Sequence, residues 1–317
     1  MLAGNLLGSA DRDNRTGPQR ECGKTRTRSP PAKARIASWP IRAHYPRSPS
    51  SPSAATRCCG AQVGLLALKE DAYGDGEPYP LDVLDAESEG QIGYVVELEL
   101  DNAIDHQDTV TVITRVLVDA DDPAFGEPTK FIGPVYDERR AQALATERGW
   151  VVKPDGDRWR RVVPSPDPKQ IVQLGAIRSL VDGGFLVVCV GGGGVPVIAD
   201  GNAHAGVEAV IDKDLASALL AVGLGADVLV LATDVDAVYT DWGTPDQRAV
   251  AGTTPAWLRA RSFAGGSMGP KVEAVCRFVE ATGQRAAIGR LEELPGLVDG
   301  TAGTQIRSDG PAVGLCG

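Results

Sequence analysis

Aromatic residues are scarce in this chain, 5% of 317, so its core must rest on Val, Leu, Ile and Ala. Histidine is scarcer still: His44, His106 and His204 stand far apart and suggest no metal site. The six cysteines, Cys22, Cys58, Cys59, Cys189, Cys276 and Cys316, show no metal-ligand spacing. Cys189 and Cys276 lie in apolar runs and read as buried free thiols, which fits a reducing cytoplasm. No apolar run approaches the length of about 18 residues that a membrane span needs. The N-terminus also lacks the basic-then-apolar order of a secretory signal.

Acidic residues are almost missing from residues 1–60, which hold 3 Asp+Glu against 11 Lys+Arg. The rest of the chain reverses the balance, with 39 acidic against 21 basic residues, and the net charge is −10. That body lacks the basic face that nucleic acid requires, so any anion site in it must be local. Spacing alone supports no Ser-His-Asp or Cys-His arrangement and no acid/base carboxylate couple. The informative charges are lysines, which points to anion chemistry.

What is present falls into two stretches. Residues 1–60 are rich in Arg, Ser and Pro, hold no sustained helix or strand period, and read as a low-order segment. From Ala61 to Gly317 the pattern is α/β. Helices are expected over Gln62 to Ala72, Leu81 to Leu100, Asp137 to Arg148, Ile171 to Val181, Asp212 to Leu224 and Lys271 to Ala281. Strands are expected over Thr109 to Val118, Phe185 to Val190, Val228 to Leu231 and Ala286 to Ile288. Short apolar strands alternating with helices imply a mainly parallel sheet covered on both faces. Residues 119–166 form a polar excursion from that pattern.

Several segments could carry chemistry. Gly191-Gly192-Gly193-Gly194 directly follows a buried strand, where α/β sheets place ligands and where glycine lets backbone N–H groups approach an anion. Asp212-Lys213-Asp214 starts a helix, and reads either as a cap with a surface lysine or as a cation held for phosphoryl chemistry. Gly265-Gly266-Ser267-Met268-Gly269-Pro270-Lys271 ends in a helix start, which favours phosphate, although it is no Walker A loop. Asp234-Val235-Asp236 through Tyr239 reads as an acidic turn or as the wall of a nucleotide pocket. Lys130, between turn formers, reads on composition alone as part of a solvated loop.

Taken together, these segments resemble carbamate kinase, a family of the amino-acid kinase superfamily. The likeness spans residues 60–307 and adds Gln91-Ile92-Gly93-Tyr94, Pro128-Thr129-Lys130, Asp241-Trp242-Gly243-Thr244-Pro245 and Thr301-Ala302-Gly303-Thr304. It implies a three-layer αβα sandwich with a small protruding subdomain, here about 119–166. It implies reversible phosphoryl transfer between carbamoyl phosphate and ADP, giving ATP and carbamate. Lys213 and Lys271 would stabilise the transferring group, Asp214 would orient them, and Lys130 would reach in from the subdomain. Gly191 to Gly194 would hold the carbamoyl end. Asp234, Val235, Tyr239, Ser267, Met268, Gly269 and Pro270 would bind the nucleotide, with Mg²⁺ on its phosphates. The family's members are usually cytoplasmic homodimers that make ATP during arginine breakdown, with no nucleic acid or membrane partner.

The chain departs from the family before Gln62. The family's first strand runs into a Gly-Gly-Asn turn, of which Gly4-Asn5 is at best a relic, and its second ends in Thr-His-Gly-Asn-Gly-Pro-Gln. A frameshift over about residues 8–60 is our hypothesis. Codons allowed for Ile41 through Arg47, read one base further on, can spell Phe-Glu-Leu-Ile-Thr-His-Gly. A gene whose shifted frame carries stop codons would sink this idea. A transit peptide and a basic interaction tail are the rival readings. Loss of both strands would open the sheet and leave a catalytically impaired nucleotide-binding remnant.

Overall fold

The computed structural model describes residues 64, 66, 67, 79–104, 108–263 and 268–309, and the strands 3–8, 35–40 and 313–315 by their backbone. With strands numbered in chain order, the large sheet runs β13 (Val238–Thr240), β14 (Arg248–Thr253), β16 (Thr304–Ile306), β15 (Arg285–Arg290), β12 (Val228–Thr233), β2 (Arg35–Pro40), β1 (Ala3–Gly8), β9 (Leu186–Cys189), β3 (Thr109–Val112). A tenth strand, β17 (Val313–Leu315), pairs with β14. Seven helices accompany the sheets among the described residues: α1 (Leu81–Ala103), α2 (Glu138–Arg148), α3 (Leu174–Asp182), α4 (Lys213–Leu224), α5 (Pro255–Arg259), α6 (Met268–Thr282) and α7 (Leu294–Asp299).

β12 shows why its sequence is an unbroken apolar run. Leu229 and Leu231 pack into the main core with Ala216 and Leu220 of α4 and Val275 and Phe278 of α6. Val228 and Val230 face the other way, with Ala287 of β15, onto Leu297 of α7. A strand with helices on both faces has no polar side to alternate with. The sandwich expected from the sequence is therefore present, and among the described residues its large sheet is mixed, with four parallel and five antiparallel pairings.

The N-terminal stretch behaves differently from the expectation of no strand. β1 and β2 fill the place between β9 and β12, where the resemblance puts two strands. The ladders of β9 and β12 would otherwise bury unpaired backbone groups, and the two segments satisfy them. β2 runs parallel to β12, pairing Arg35 through Ser38 with Val228 through Leu231. β1 is antiparallel to both β2 and β9, so it is reversed among neighbours that share one direction. Its pairing of Asn5 with Cys189 puts the start of β1, not its end, at the carboxyl edge of β9. The shifted-frame reading of residues 41–47, and Cys22, Cys58, Cys59, Cys316, His44 and His106, lie outside the described residues.

Two elements differ from the sequence reading. Thr109 to Val118 is two strands, because the chain leaves the large sheet after Val112 and β4 (Arg115–Leu117) joins a second one. That sheet runs β11 (Ala203–Gly206), β10 (Val195–Asp200), β4, β8 (Gln170–Ile171). Ile171 thus belongs to a strand, and α3 starts at Leu174. Of the helix expected over Gln62 to Ala72, the described Gly64, Leu66 and Ala67 are helical.

The excursion over 119–166 carries its own antiparallel sheet, β5 (Lys130–Tyr136), β7 (Arg158–Val163), β6 (Val151–Asp155), with α2 packed on it. Asp137 caps α2 by accepting from Arg140 N at 2.8 Å, and Gly149 ends it in the left-handed region at φ 66°. Ile132 and Val163 of this sheet join Leu81 and Leu84 of α1 in one buried cluster, which seats the subdomain against the main body.

Candidate active site

The glycine loop begins with strain. Val190, the residue after β9, has φ 56°, a conformation that β-branched residues rarely adopt. Gly191, Gly192 and Gly193 then make one tight turn. At Gly193, φ is 118° and a Cβ would lie 2.4 Å from Ile211 O, so only glycine fits. Three of the four loop N–H groups are already engaged within the protein. Gly191 N donates to Glu89 Oε1 at 2.9 Å, Gly193 N to Val190 O at 3.2 Å and Gly194 N to Gly191 O at 3.1 Å. Gly192 is left with the one loop N–H that has no acceptor among the described residues.

Glu89 lies on the sheet-facing side of α1 and is buried. Its Oε2 accepts from Thr114 N at 3.0 Å. Burial pushes its carboxyl up to about 8, against the lowering effect of the N–H donors around it. Asp85, one turn earlier, is also raised, chiefly by burial and then by the Glu89 charge. The sequence reading marks neither residue. The available signal is an apolar helix stripe, Leu81, Leu84, Ile92 and Val96, interrupted by Asp85, Ser88 and Glu89 at the same spacing.

The predicted lysines come together. Asp212 caps α4, accepting from Asp214 N at 2.9 Å and Leu215 N at 3.3 Å. Its other oxygen accepts from Lys130 Nζ at 2.6 Å, so the first residue of β5 carries the subdomain's charge to the start of α4. The solvated-loop reading of Lys130 does not hold. Asp214, 2% exposed, accepts from Lys271 Nζ at 2.7 Å, and Lys213 Nζ lies 3.6 Å from the same oxygen. The other oxygen, Asp214 Oδ1, is buried and has no hydrogen-bond partner among the described residues. Burial pushes the Asp212 carboxyl up, but the charges of Lys130 and Lys213 outweigh it and hold it well below the usual carboxylate range. These three ammonium groups and two carboxylates sum to a positive charge, set beside the N-termini of α4 and α6.

The residues expected to bind nucleotide lie at the carboxyl end of β12 and the start of α6. Asp234 Oδ1 accepts from Thr233 Oγ1 at 3.0 Å. Val235 lies in the turn from β12 to β13, and Tyr239 Oη donates to Asp236 Oδ1 at 2.9 Å. Tyr239 also borders an open cleft of about 480 Å³ with Asp241, Trp257, Arg261 and Phe263. Met268, Gly269 and Pro270 form the first turn of α6, directly before Lys271. Ser267 lies outside the described residues. Among the described residues, no three His, Cys, Asp or Glu side chains converge as a metal cage.

A sandwiched α/β sheet that gathers three lysines over two aspartates at its carboxyl edge has the frame of a phosphotransferase. Residues 106–290 match the model of the amino acid kinase family. The carbamate kinase of Rhizobium meliloti (strain 1021) is 53% identical over 253 residues, 78% of this chain and 78% of that protein. That of Haemophilus influenzae (strain ATCC 51907 / DSM 11121 / KW20 / Rd) is 49% identical over 249 residues, 78% and 80% of the two. The solved carbamate kinase of Giardia lamblia bound to AMP-PNP superposes with a TM-score of 0.72 at 39% identity, covering 80% of this chain and 84% of that one. The chain belongs to the amino acid kinase family and, within it, to the carbamate kinases.

Proposed function

We propose that the chain moves a phosphoryl group between carbamoyl phosphate and ADP. The gathering of Lys130, Lys213 and Lys271 on Asp212 and Asp214 carries this reading. In the ATP-forming direction, a β-phosphate oxygen of ADP attacks the phosphorus. The bond from phosphorus to the carbamate oxygen breaks, and carbamate leaves with that electron pair, later decaying to ammonia and CO₂. Lys213 and Lys271 neutralise charge on the transferring oxygens. Asp214 holds both ammonium groups in place, and Lys130 adds a third from the subdomain. The glycine loop receives the carbamoyl end, with Gly192 N–H as its donor. Asp234, Val235, Tyr239, Ser267, Met268, Gly269 and Pro270 take the nucleotide. Mg²⁺ enters with ADP on its phosphate oxygens, as part of the substrate.

Further parts of the reading rest on lighter support. A homodimer is supported by the exposed Tyr94 and Leu98 on α1. A cytoplasmic location is supported by the free, buried Cys189 and Cys276, and a place in arginine breakdown rests on the family resemblance alone. No helix among the described residues is long and apolar enough to cross a membrane.

One observation favours a second reading, a nucleotide-binding protein with impaired turnover. β1 runs against its neighbours, so it ends, at Gly8, on the edge opposite the lysines. The deciding experiment mixes the purified 317-residue chain with ADP, Mg²⁺ and carbamoyl phosphate and measures ATP above the spontaneous background. Turnover that disappears in Lys213→Ala establishes the kinase. ADP binding without turnover in folded material establishes the impaired form.

A further inference from the structure

We infer that Glu89 is a positioning residue that clamps the glycine loop and decides which of its N–H groups meets the substrate. The inference rests on the reading of that loop as the carbamoyl site. Its two carboxyl oxygens hold two different stretches of backbone. Oε1 takes the Gly191 N–H at 2.9 Å and Oε2 the Thr114 N–H at 3.0 Å, across 102 and 25 residues of chain. Thr114 completes a closed circuit, because its Oγ1 accepts from Val190 N at 3.0 Å and donates to Val112 O at 2.7 Å. Glu89 and Thr114 are both buried, so water does not compete for these bonds.

The circuit explains two features that otherwise stand alone. Val190 occupies a left-handed conformation that a β-branched side chain disfavours. Such a residue persists only where its surroundings over-determine it, and here the amides of Val190 and Gly191 are pinned from Thr114 and Glu89. The chain also leaves the large sheet just after Val112, and the Thr114 amide that this break frees is the one Glu89 accepts. Glu89 therefore ties α1, the β3–β4 break and the loop after β9 into one unit. With the Gly191 N–H committed to Glu89, Gly192 presents the loop's donor.

The experiment compares wild type, Glu89→Ala, Glu89→Gln and Thr114→Val. The carboxamide keeps one acceptor and turns a donor toward the other N–H, so it should fall between wild type and the alanine variant. For Glu89→Ala, KM for carbamoyl phosphate should rise roughly ten- to hundredfold, with KM for MgADP within about twofold of wild type. Thr114→Val, which removes the other pin, should show the same split even if a Glu89 variant does not fold. Amide exchange should accelerate about tenfold or more in the segment 187–195 and stay unchanged in β12 and α6. Equal rises in both KM values, or exchange that accelerates across the whole sheet, would assign Glu89 a structural role only and overturn the inference. Unchanged exchange at 187–195 would overturn it as well. Should the wild type make no ATP, the functional reading fails by itself, and the exchange comparison still decides whether the clamp exists.

Discussion

Lys271 Nζ donates to Asp214 Oδ2 across 2.7 Å, joining the first turn of α6 to the first turn of α4. Both side chains are buried, and 57 residues of chain separate them. The bond brings two helix N-termini to one point with a carboxylate between two ammonium groups. Removing Asp214 leaves Lys213 and Lys271 in a dry place without the carboxylate that lies between them, and Asp212 alone cannot balance both.

Asp214→Ala should therefore cost about 3–5 kcal/mol of stability, and turnover should be lost with it. Lys271→Met removes charge without adding a buried polar group, so it should lower kcat roughly 10²- to 10³-fold at a much smaller cost in stability. Urea melts alongside the ATP-forming assay separate the two effects. A folded Lys271→Met enzyme with full kcat would remove Lys271 from the reaction.

Lys130 is less buried than Lys271 and comes from the subdomain. Lys130→Met should weaken substrate binding or turnover by roughly tenfold or more. It should also change acid stability. Asp212 is held below its unfolded value, so its contribution is present above about pH 4 and is lost as pH falls through the lowered value. Without Lys130 that value rises, and the acid unfolding midpoint should move to higher pH. An unmoved midpoint would mean that Lys213 and Lys271 alone hold Asp212 ionised.

Much of this site is legible in the order of residues along the chain. Asp212 stands at a polar-to-apolar boundary, and it does cap α4. The run Phe185 to Val190 ends in four glycines, and it is a buried strand leading into a tight loop. What the sequence does not show depends on distant partners. No local pattern distinguishes Arg35–Pro40 as a strand, because its ladder comes from Val228–Leu231, nearly two hundred residues away. Thr109 to Val118 has one composition and two sheets, because the break at Thr114 is set by Glu89 and Val190 and not by its neighbours in sequence. Lys130 reads as solvated because Asp212, its partner, is 82 residues further on.

Gly193 and Gly201 separate two uses of glycine. Both have positive φ, 118° and 58°, but a Cβ at Gly193 would strike Ile211 backbone whereas one at Gly201 meets open space. Gly201→Ala should cost about 1 kcal/mol or a little more through its backbone angle. Gly193→Ala should cost several times as much, on the order of 3 kcal/mol or above, because the loop must shift off Ile211. Chemical denaturation of the two variants tests this, and equal costs would mean that the loop yields without resistance.

Glu89 should leave a mark on the pH dependence of stability. Its carboxyl rises from 4.5 to about 8 in the folded chain, by burial, with Asp85 as its acidic neighbour on α1 and with Thr114 and Gly191 N–H groups working against the rise. Between those values the folded state keeps a proton that the unfolded chain has released. The stabilising contribution is therefore complete below about pH 4.5 and is lost as pH climbs through about 8. The slope approaches about −1.4 kcal/mol per pH unit where one full proton separates the states. Glu89→Gln cannot titrate, so its unfolding free energy should lack this slope between about pH 5 and pH 8, while the slope from Asp212 remains common to both proteins and that from Asp85 eases with the loss of the Glu89 charge. Urea unfolding at several pH values across that range makes the comparison. Parallel curves would mean that the two N–H bonds hold Glu89 ionised throughout, and that the clamp is a carboxylate at every pH where the enzyme works.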